Sequence, residues 1–453
     1  MKRASVLIGL LWVVAVLAVI VTSVLYTARL DLMVTKNHAD SIQAYYLAIA
    51  GAEKAKALIF HEAAERQRSQ RHHSGLLYNS PEQFRDIELG RGLYRVIRQG
   101  SREEGGELVY GIGDEESRLN VNTAGMEELR KLYGMVPELA AAIVDWRDEN
   151  NAPSQGGAEA EYYSSLPQPY LPRDGNIQTA LEILAVRDVT AEMLLGEDAN
   201  QNGLLDDEEK DGSTTAPPDN ADNVLDHGWA GYLTFETRTQ NIPANGEQKI
   251  DVQTGSESEL TSIPGITQDI AKAIVAHRGQ NRLENIADLM EVRAANPNQP
   301  GQPQEAQPGN PEGQQNQGRQ NSGPQVIDEQ LFLDIADYVK TSPESGKRGL
   351  INVNTASVPV LLCLEGMTEE LAHAIVAHRS SAGFFPNTGY LLRVQGMNRD
   401  LFRRLAPKLT VRSENFRIIS EGVVPSSGAR KRIETIIRLT SRGIDTISYR
   451  ENL

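Results

Sequence analysis

A single cysteine, Cys363, occurs in 453 residues, so no intramolecular disulfide can staple this chain. It lies in the apolar stretch VLLCL, which favours a buried structural thiol over a reactive one. Histidine is scarce and scattered, with eight in all. There is no Walker loop, no Gly-x-Ser-x-Gly and no Cys/His constellation. His61-Glu62-Ala63-Ala64-Glu65 approaches the zinc-protease HExxH pattern, but glutamate stands where the second histidine is needed. The expectation is no catalysis and no small-molecule substrate. Positive charge is also short: 45 Lys and Arg against 61 Asp and Glu leave a net charge of −16. A field of that sign repels phosphate backbones, so a nucleic-acid partner is not expected without a strong local basic patch.

Long apolar runs are rare as well, which makes Val6–Tyr26 informative. Its 21 uncharged residues are about what one helix needs to cross a bilayer, and more than a secretory signal core uses. Lys2 and Arg3 precede it, which predicts a cytoplasmic N-terminus and a single pass through the inner membrane. From Asp40 onward Ile42, Tyr45, Tyr46, Ile49, Ala52, Ala55 and Ile59 recur at helical spacing without a proline. One helix of roughly 60 residues is therefore expected to start in the membrane and end in a soluble domain. This short basic leader, small residue and extended apolar helix resemble a type IV pilin-like signal. The resemblance implies prepilin peptidase cleavage between Ala4 and Ser5, with alanine where the family usually has glycine. Most pilins carry a glutamate at the fifth mature position; here that position is Gly9. Such a carboxylate sits in hydrocarbon and needs the amine of a neighbouring subunit. Its absence points to a filament tip.

Strands are expected at both ends of the soluble part: Gly92–Gln99 and Glu107–Asp114, then Phe416–Val424 and Arg432–Leu439. A small antiparallel sheet drawn from both ends and packed on the helix would enclose the rest as an insert. Inside that insert a phrase recurs: LNVNTA at Leu119, IDVQTG at Ile250 and INVNTA at Ile351. In register behind each come leucine (Leu129, Leu260, Leu361), glycine (Gly134, Gly265, Gly366), alanine (Ala140, Ala271, Ala372), isoleucine (Ile143, Ile274, Ile375), valine and arginine (Arg147, Arg278, Arg379). Each copy reads as a short helix, a glycine hairpin and a second helix, and resembles the helix-hairpin-helix module. Asn122-Thr123 and Asn354-Thr355 are expected to cap the first helices. The hairpins GMV, GIT and GMT lack the second glycine of DNA-binding versions, and acidic residues surround them.

The stretch from Asp145 to Thr190 (a DW-x-D pair, GAE-x-x-YY, a proline/tyrosine loop, then LEIL…V) is similar to general secretion pathway protein K, the large minor pseudopilin of the type II secretion system. The resemblance implies an α+β fold. A transmembrane, pilin-like long helix packs on a small antiparallel sheet and carries a large, mainly helical insert of helix-hairpin-helix or SAM-like repeats. It also implies partners, the I- and J-type minor pseudopilins and the pseudopilus, and a tip position with the large C-terminal part in the periplasm. A membrane-anchored helix-hairpin-helix DNA receptor of the competence type is the alternative. The expected division is a leader over 1–4 and the pilin helix over 5–70. A pilin-like α/β domain follows from 71–118 plus 411–453. The insert is expected to form a first domain over 119–223 and a second over 224–410, the latter with two repeats and a Gln/Pro/Gly-rich linker at 294–325.

One loop has calcium-ligand spacing. Asp198, Asn200, Asn202, Asp206 and Glu209 occupy positions 1, 3, 5, 9 and 12, with Gly203 at 6 and the Leu204 carbonyl at 7. A structural calcium is expected there. The carboxylates of Asp145, Asp148, Glu159 and Glu161 are a second candidate set.

Overall fold

The computed structural model describes residues 2–69, 75–200, 203–210, 212, 221–222, 224–240, 242–243, 246–294, 323–341 and 346–451. Its first element, α1 (Lys2–Ser69), is one continuous helix. It includes the one helix long and apolar enough to cross a membrane among the described residues. Residues 9–39 are exposed throughout; Asp40 is the first buried position. From there Ala44, Leu47, Ala48, Ala52, Ala55 and Ile59 turn inward at three- and four-residue intervals. This is the apolar stripe of an amphipathic helix.

That stripe lies on an antiparallel sheet drawn from both ends of the soluble part. The order is Ile87–Leu89, Gly92–Gln99, Asn415–Val424, Ala429–Thr440 and Gly443–Glu451. The central pairing sets Ile419 opposite Ile97. Small residues let helix and sheet approach closely. A Cβ on Gly422 would overlap the Ala44 carbonyl oxygen, and one on Gly51 would overlap Ser420 Oγ. The strand expected over Glu107–Asp114 breaks into Leu108–Val109 and Gly113–Asp114. Between them Gly111 passes against the Tyr78 carbonyl, where a side chain has no room. The last strand, Gly443–Glu451, extends the sheet beyond the sequence reading.

The insert is three tandem units on one plan. In each, the repeated phrase is a two-residue strand paired in parallel with a strand far downstream: Leu119–Asn120 with Leu233–Thr234, Ile250–Asp251 with Val339–Lys340, and Ile351–Asn352 with Leu409–Thr410. Between the strands run the helix-hairpin-helix pair, a six-residue 3₁₀ segment and a closing helix. In the first unit these are Met126–Leu129, Pro137–Arg147, Ala180–Ala185 and Ala191–Leu195. In the second they are Glu257–Thr261, Gln268–Arg278, Ile286–Glu291 and Glu329–Ile335. In the third they are Val358–Leu362, Glu369–Ala382, Thr388–Arg393 and Arg399–Leu405. The expected boundary at 223/224 therefore falls inside the first unit, whose closing strand lies at Leu233. One apolar core runs through all three.

Most of the linker expected at 294–325 lies outside the described residues. Its two ends meet: Ala294 N–H donates to the Pro324 carbonyl and Val326 N–H to that of Val292. The segment is thus inserted between the 3₁₀ segment and the closing helix of unit two. In units one and three only a tight turn joins the same elements.

Candidate functional site

The repeated phrase is a clamp rather than a cap. The helices after it begin behind Gly125, Ser256 and Ser357. Asn354 instead ties three segments together: its Nδ2 donates to the carbonyls of Phe385 and Val411, and its Oδ1 accepts from Phe385 N–H at 2.7 Å. Asn122 does the same with Ile177 and Phe235. Gln253 keeps one such bond, accepting from Leu283 N–H at 2.9 Å. The capping role expected of these asparagines is corrected accordingly. The ladder's free peptide groups are satisfied by a side chain because the parallel strands are only two residues long.

The arginines at the end of each repeat close the same phrase. Arg379 Nη1 donates to the carbonyls of Val353 and Ala356 at 2.9 and 2.7 Å. Arg278 donates to Val252 and Gly255 at 2.9 and 2.7 Å. Arg147 Nη2 reaches the Ala124 carbonyl. These guanidinium groups are spent inside the units, where a nucleic-acid surface would leave them outward.

Three consecutive acids join the sheet to the insert, a cluster with no motif that sequence reading could recognise. Asp114 accepts from Asn352 Nδ2 at 2.9 Å, from Ser413 Oγ at 2.6 Å and from Thr355 Oγ1. Glu115 accepts from Thr234 Oγ1 and from Arg417 Nε, both at 2.7 Å. Glu116 accepts from Asn415 N–H at 3.1 Å and from its Nδ2 at 2.5 Å. Burial and the neighbouring Asp114 push Glu116 well above the usual carboxylate range, and burial also raises Asp114. Burial acts the same way on Glu115, but Arg417 and Arg118 outweigh it and bring that group down to about 2.

The second set of candidate ligands assembles almost as expected. One carboxylate oxygen each from Asp145, Asp148 and Glu159 lies within 4.8 Å of the others. Glu161 is exposed and stands outside this group, because the short helix Ala160–Ser164 turns it toward solvent. Asp145 is fully buried at the end of the Pro137–Arg147 helix and accepts from Ser154 N–H at 3.0 Å. A Cβ on Gly157 would overlap its carboxylate, so the chain approaches as only glycine allows. Glu159 is 3% exposed, and neither of its carboxylate oxygens has a hydrogen-bond partner among the described residues. Burial first, then Asp145, Asp148 and Asp174, push its pKa up to about 7. Two orphaned buried oxygens facing two more carboxylates fit a hard divalent cation with oxygen ligands. Behind the cluster Trp146 and Tyr163 stack edge to face at 5.1 Å, and Trp146 Nε1 donates to Glu182 at 3.1 Å. The DW, YY and LEIL elements of the motif are thus one packed core.

The calcium-spaced loop is partly visible. Asn202 lies outside the described residues. Gly203 N–H donates to Asp198 at 2.9 Å, and Glu209 accepts from Asp206 N–H at 3.1 Å and from Asn200 N–H at 3.4 Å. The Leu204 side chain is buried on the sheet against Ile97 and Ile419. Arg432 holds both Asp206 oxygens at 2.8 Å. The loop is therefore docked on the pilin-type sheet, with one candidate ligand already paired to a cation.

Anchor helix, two-ended sheet and tandem helical insert define a pilin-like protein of composite architecture. Within that class, the resemblance to type II secretion system protein K read from Asp145–Thr190 is borne out: residues 114–195 match the family model for type II secretion system protein K. Residues 245–300 and 346–410 match the helix-hairpin-helix motif. The crystal structure of the GspK-GspI-GspJ complex from the enterotoxigenic Escherichia coli type 2 secretion system aligns over 92% of this chain and 99% of that one. Its identity is 11% and its TM-score 0.45. Endonuclease/exonuclease/phosphatase family domain-containing protein 1 of Rattus norvegicus and of Homo sapiens are each 26% identical over 167 residues. Those matches cover 36% of this chain and 28% of the relatives, so the chain spans just over a quarter of their length.

Proposed function

We propose that the chain is a minor pseudopilin of the type II protein secretion system. It caps the pseudopilus tip with I- and J-type minor pseudopilins and thereby promotes assembly and protein export. The observation that carries this reading is the protein K match over 114–195, which begins at the junction joining sheet to insert. The anchor contributes the membrane link: prepilin peptidase cuts at Ala4–Ser5, Lys2 and Arg3 hold the leader in the cytoplasm, and the folded part lies in the periplasm. Three helical units are too bulky for the interior of a filament. With Gly9 in the apolar helix, no buried carboxylate calls for a subunit above. The role is structural, with no reacting group assigned. The nuclease- and phosphatase-type name of the curated relatives is not carried over from a match to a quarter of their length.

Within this role Asp145, Asp148 and Glu159 hold a structural calcium, with the Asp198–Glu209 loop as a weaker second position. The metal neutralises carboxylates that otherwise repel each other in a buried place. The first experiment is the mass of the mature N-terminal peptide from membranes. A peptide beginning at Ser5, N-methylated, is expected; an intact Met1 would sink the pilin-type processing. Co-purification of I- and J-type subunits with the full chain checks the partners.

A further inference from the structure

The segments that close the second and third units meet around a cavity of about 580 Å³. Its wall carries Lys249, Arg282, Lys340 and Lys347 against two acids, Glu284 and Asp337. Asp337 is already neutralised: Arg412 donates to its two oxygens at 2.7 and 2.5 Å. Four cations thus face a single other carboxylate, in a chain whose net charge is −16. Cations gathered in a partly desolvated recess repel one another more strongly than at an open surface. The consequence is visible at Lys249. Burial lowers its ammonium, Asp337 opposes that, and Arg412 and Lys340 lower it further, to about 8. Arg412, 5% exposed, also has an Nε–H with no hydrogen-bond partner among the described residues.

We propose that this cavity binds a small oxyanion of two or more charges, phosphate- or carboxylate-bearing, held by Lys249, Arg282, Lys340 and Lys347. Neutral donors complete it, since Asn285 and Thr388 line the same wall. A lysine supplies a point charge and an arginine a fork, and together they suit oxygens that are spread in space. The unit-two hairpin Pro264–Thr267 is absent from the lining. The site is therefore not the hairpin face through which such modules reach a nucleic-acid backbone. An anion seated beside Lys249 favours its charged form. Binding near pH 8 then draws a proton from buffer.

The test is isothermal titration and thermal unfolding of the full chain in detergent. Inorganic phosphate, sulfate or succinate is added at ionic strength matched with chloride. A saturable heat and a rise in Tm are expected, with heats at pH 8 that vary with the ionisation enthalpy of the buffer. Phosphate against succinate distinguishes the two chemistries. Arg282→Gln and Lys340→Met, on separate parts of the wall, should each weaken binding about tenfold, as loss of one charged hydrogen bond does. Lys272→Met, on an exposed helix position outside the cavity, should leave it unchanged. Absence of saturable binding for all three anions overturns the site. So does equal affinity in the two wall variants, or equal loss in Lys272→Met. If one wall variant fails to fold, the other decides.

Discussion

At the scale of single residues, this protein uses charge to finish short pieces of backbone. Arg379 holds two carbonyls that a two-residue strand leaves over. Replacing it by Met should cost about 2–4 kcal/mol, since buried acceptors lose a charged donor; urea denaturation measures it. A variant as stable as the parent would mean that water serves those carbonyls equally well. The sequence displayed this arginine three times in register, yet periodicity could not tell an inward guanidinium from an outward one. Glu159 was legible as an acid in a motif. Its burial was not, because that depends on Gly157 and the Pro137–Arg147 helix meeting in space. Chelation should lower the Tm of the parent, and Glu159→Gln should remove most of the calcium-dependent rise. A variant that responds to calcium as the parent does would place the metal elsewhere.

Between elements, the Asp114–Glu116 triplet and the repeat clamps do the joining. Glu115, with a folded pKa of about 2 against an ordinary 4.5, contributes stability that is fully present above 4.5. That stability, on the order of 3 kcal/mol, is lost as pH falls toward 2. Asp114 and Glu116 are raised, so they act with the opposite sign. Each binds its proton more readily when folded, and stability grows as pH falls from neutrality toward 4.5. The stability profile should therefore peak on the acid side of neutrality, and Glu116→Gln should flatten its upper limb; thermal melts across pH 3–8 follow both. The insertion in unit two makes a second forecast. Its ends are already tied through Val292, Ala294, Pro324 and Val326. Replacing 295–322 by a short turn should change stability by no more than about 2 kcal/mol, on the stabilising side, because loop-closure entropy grows slowly with length. Both the linker and the repeats were readable in the sequence. That the linker interrupts one copy of a shared plan was not, since its flanks carry no strong periodicity.

The whole molecule divides its labour along α1. Residues 9–39 bury nothing within the chain, so removing residues 2–36 should leave the Tm of the remainder within a few degrees, as circular dichroism would report. A large drop would mean that the anchor half of α1 also supports the fold. The sequence by itself determined what rests on local pattern: an apolar run of membrane length, strands at both ends, three repeats, and a motif shared with type II secretion system protein K. Pattern suffices there because helix and strand periods and hydrophobic length are properties of neighbouring residues. Only the tertiary structure decided that the repeats close as three units through parallel strands, and that Asn122 and Asn354 clamp rather than cap. It alone placed Glu159 among carboxylates with no partner and gathered four cations around one cavity of an acidic protein. Each of these depends on residues tens to hundreds of positions apart, and a buried charge takes its energy from what surrounds it in space rather than from its sequence neighbours.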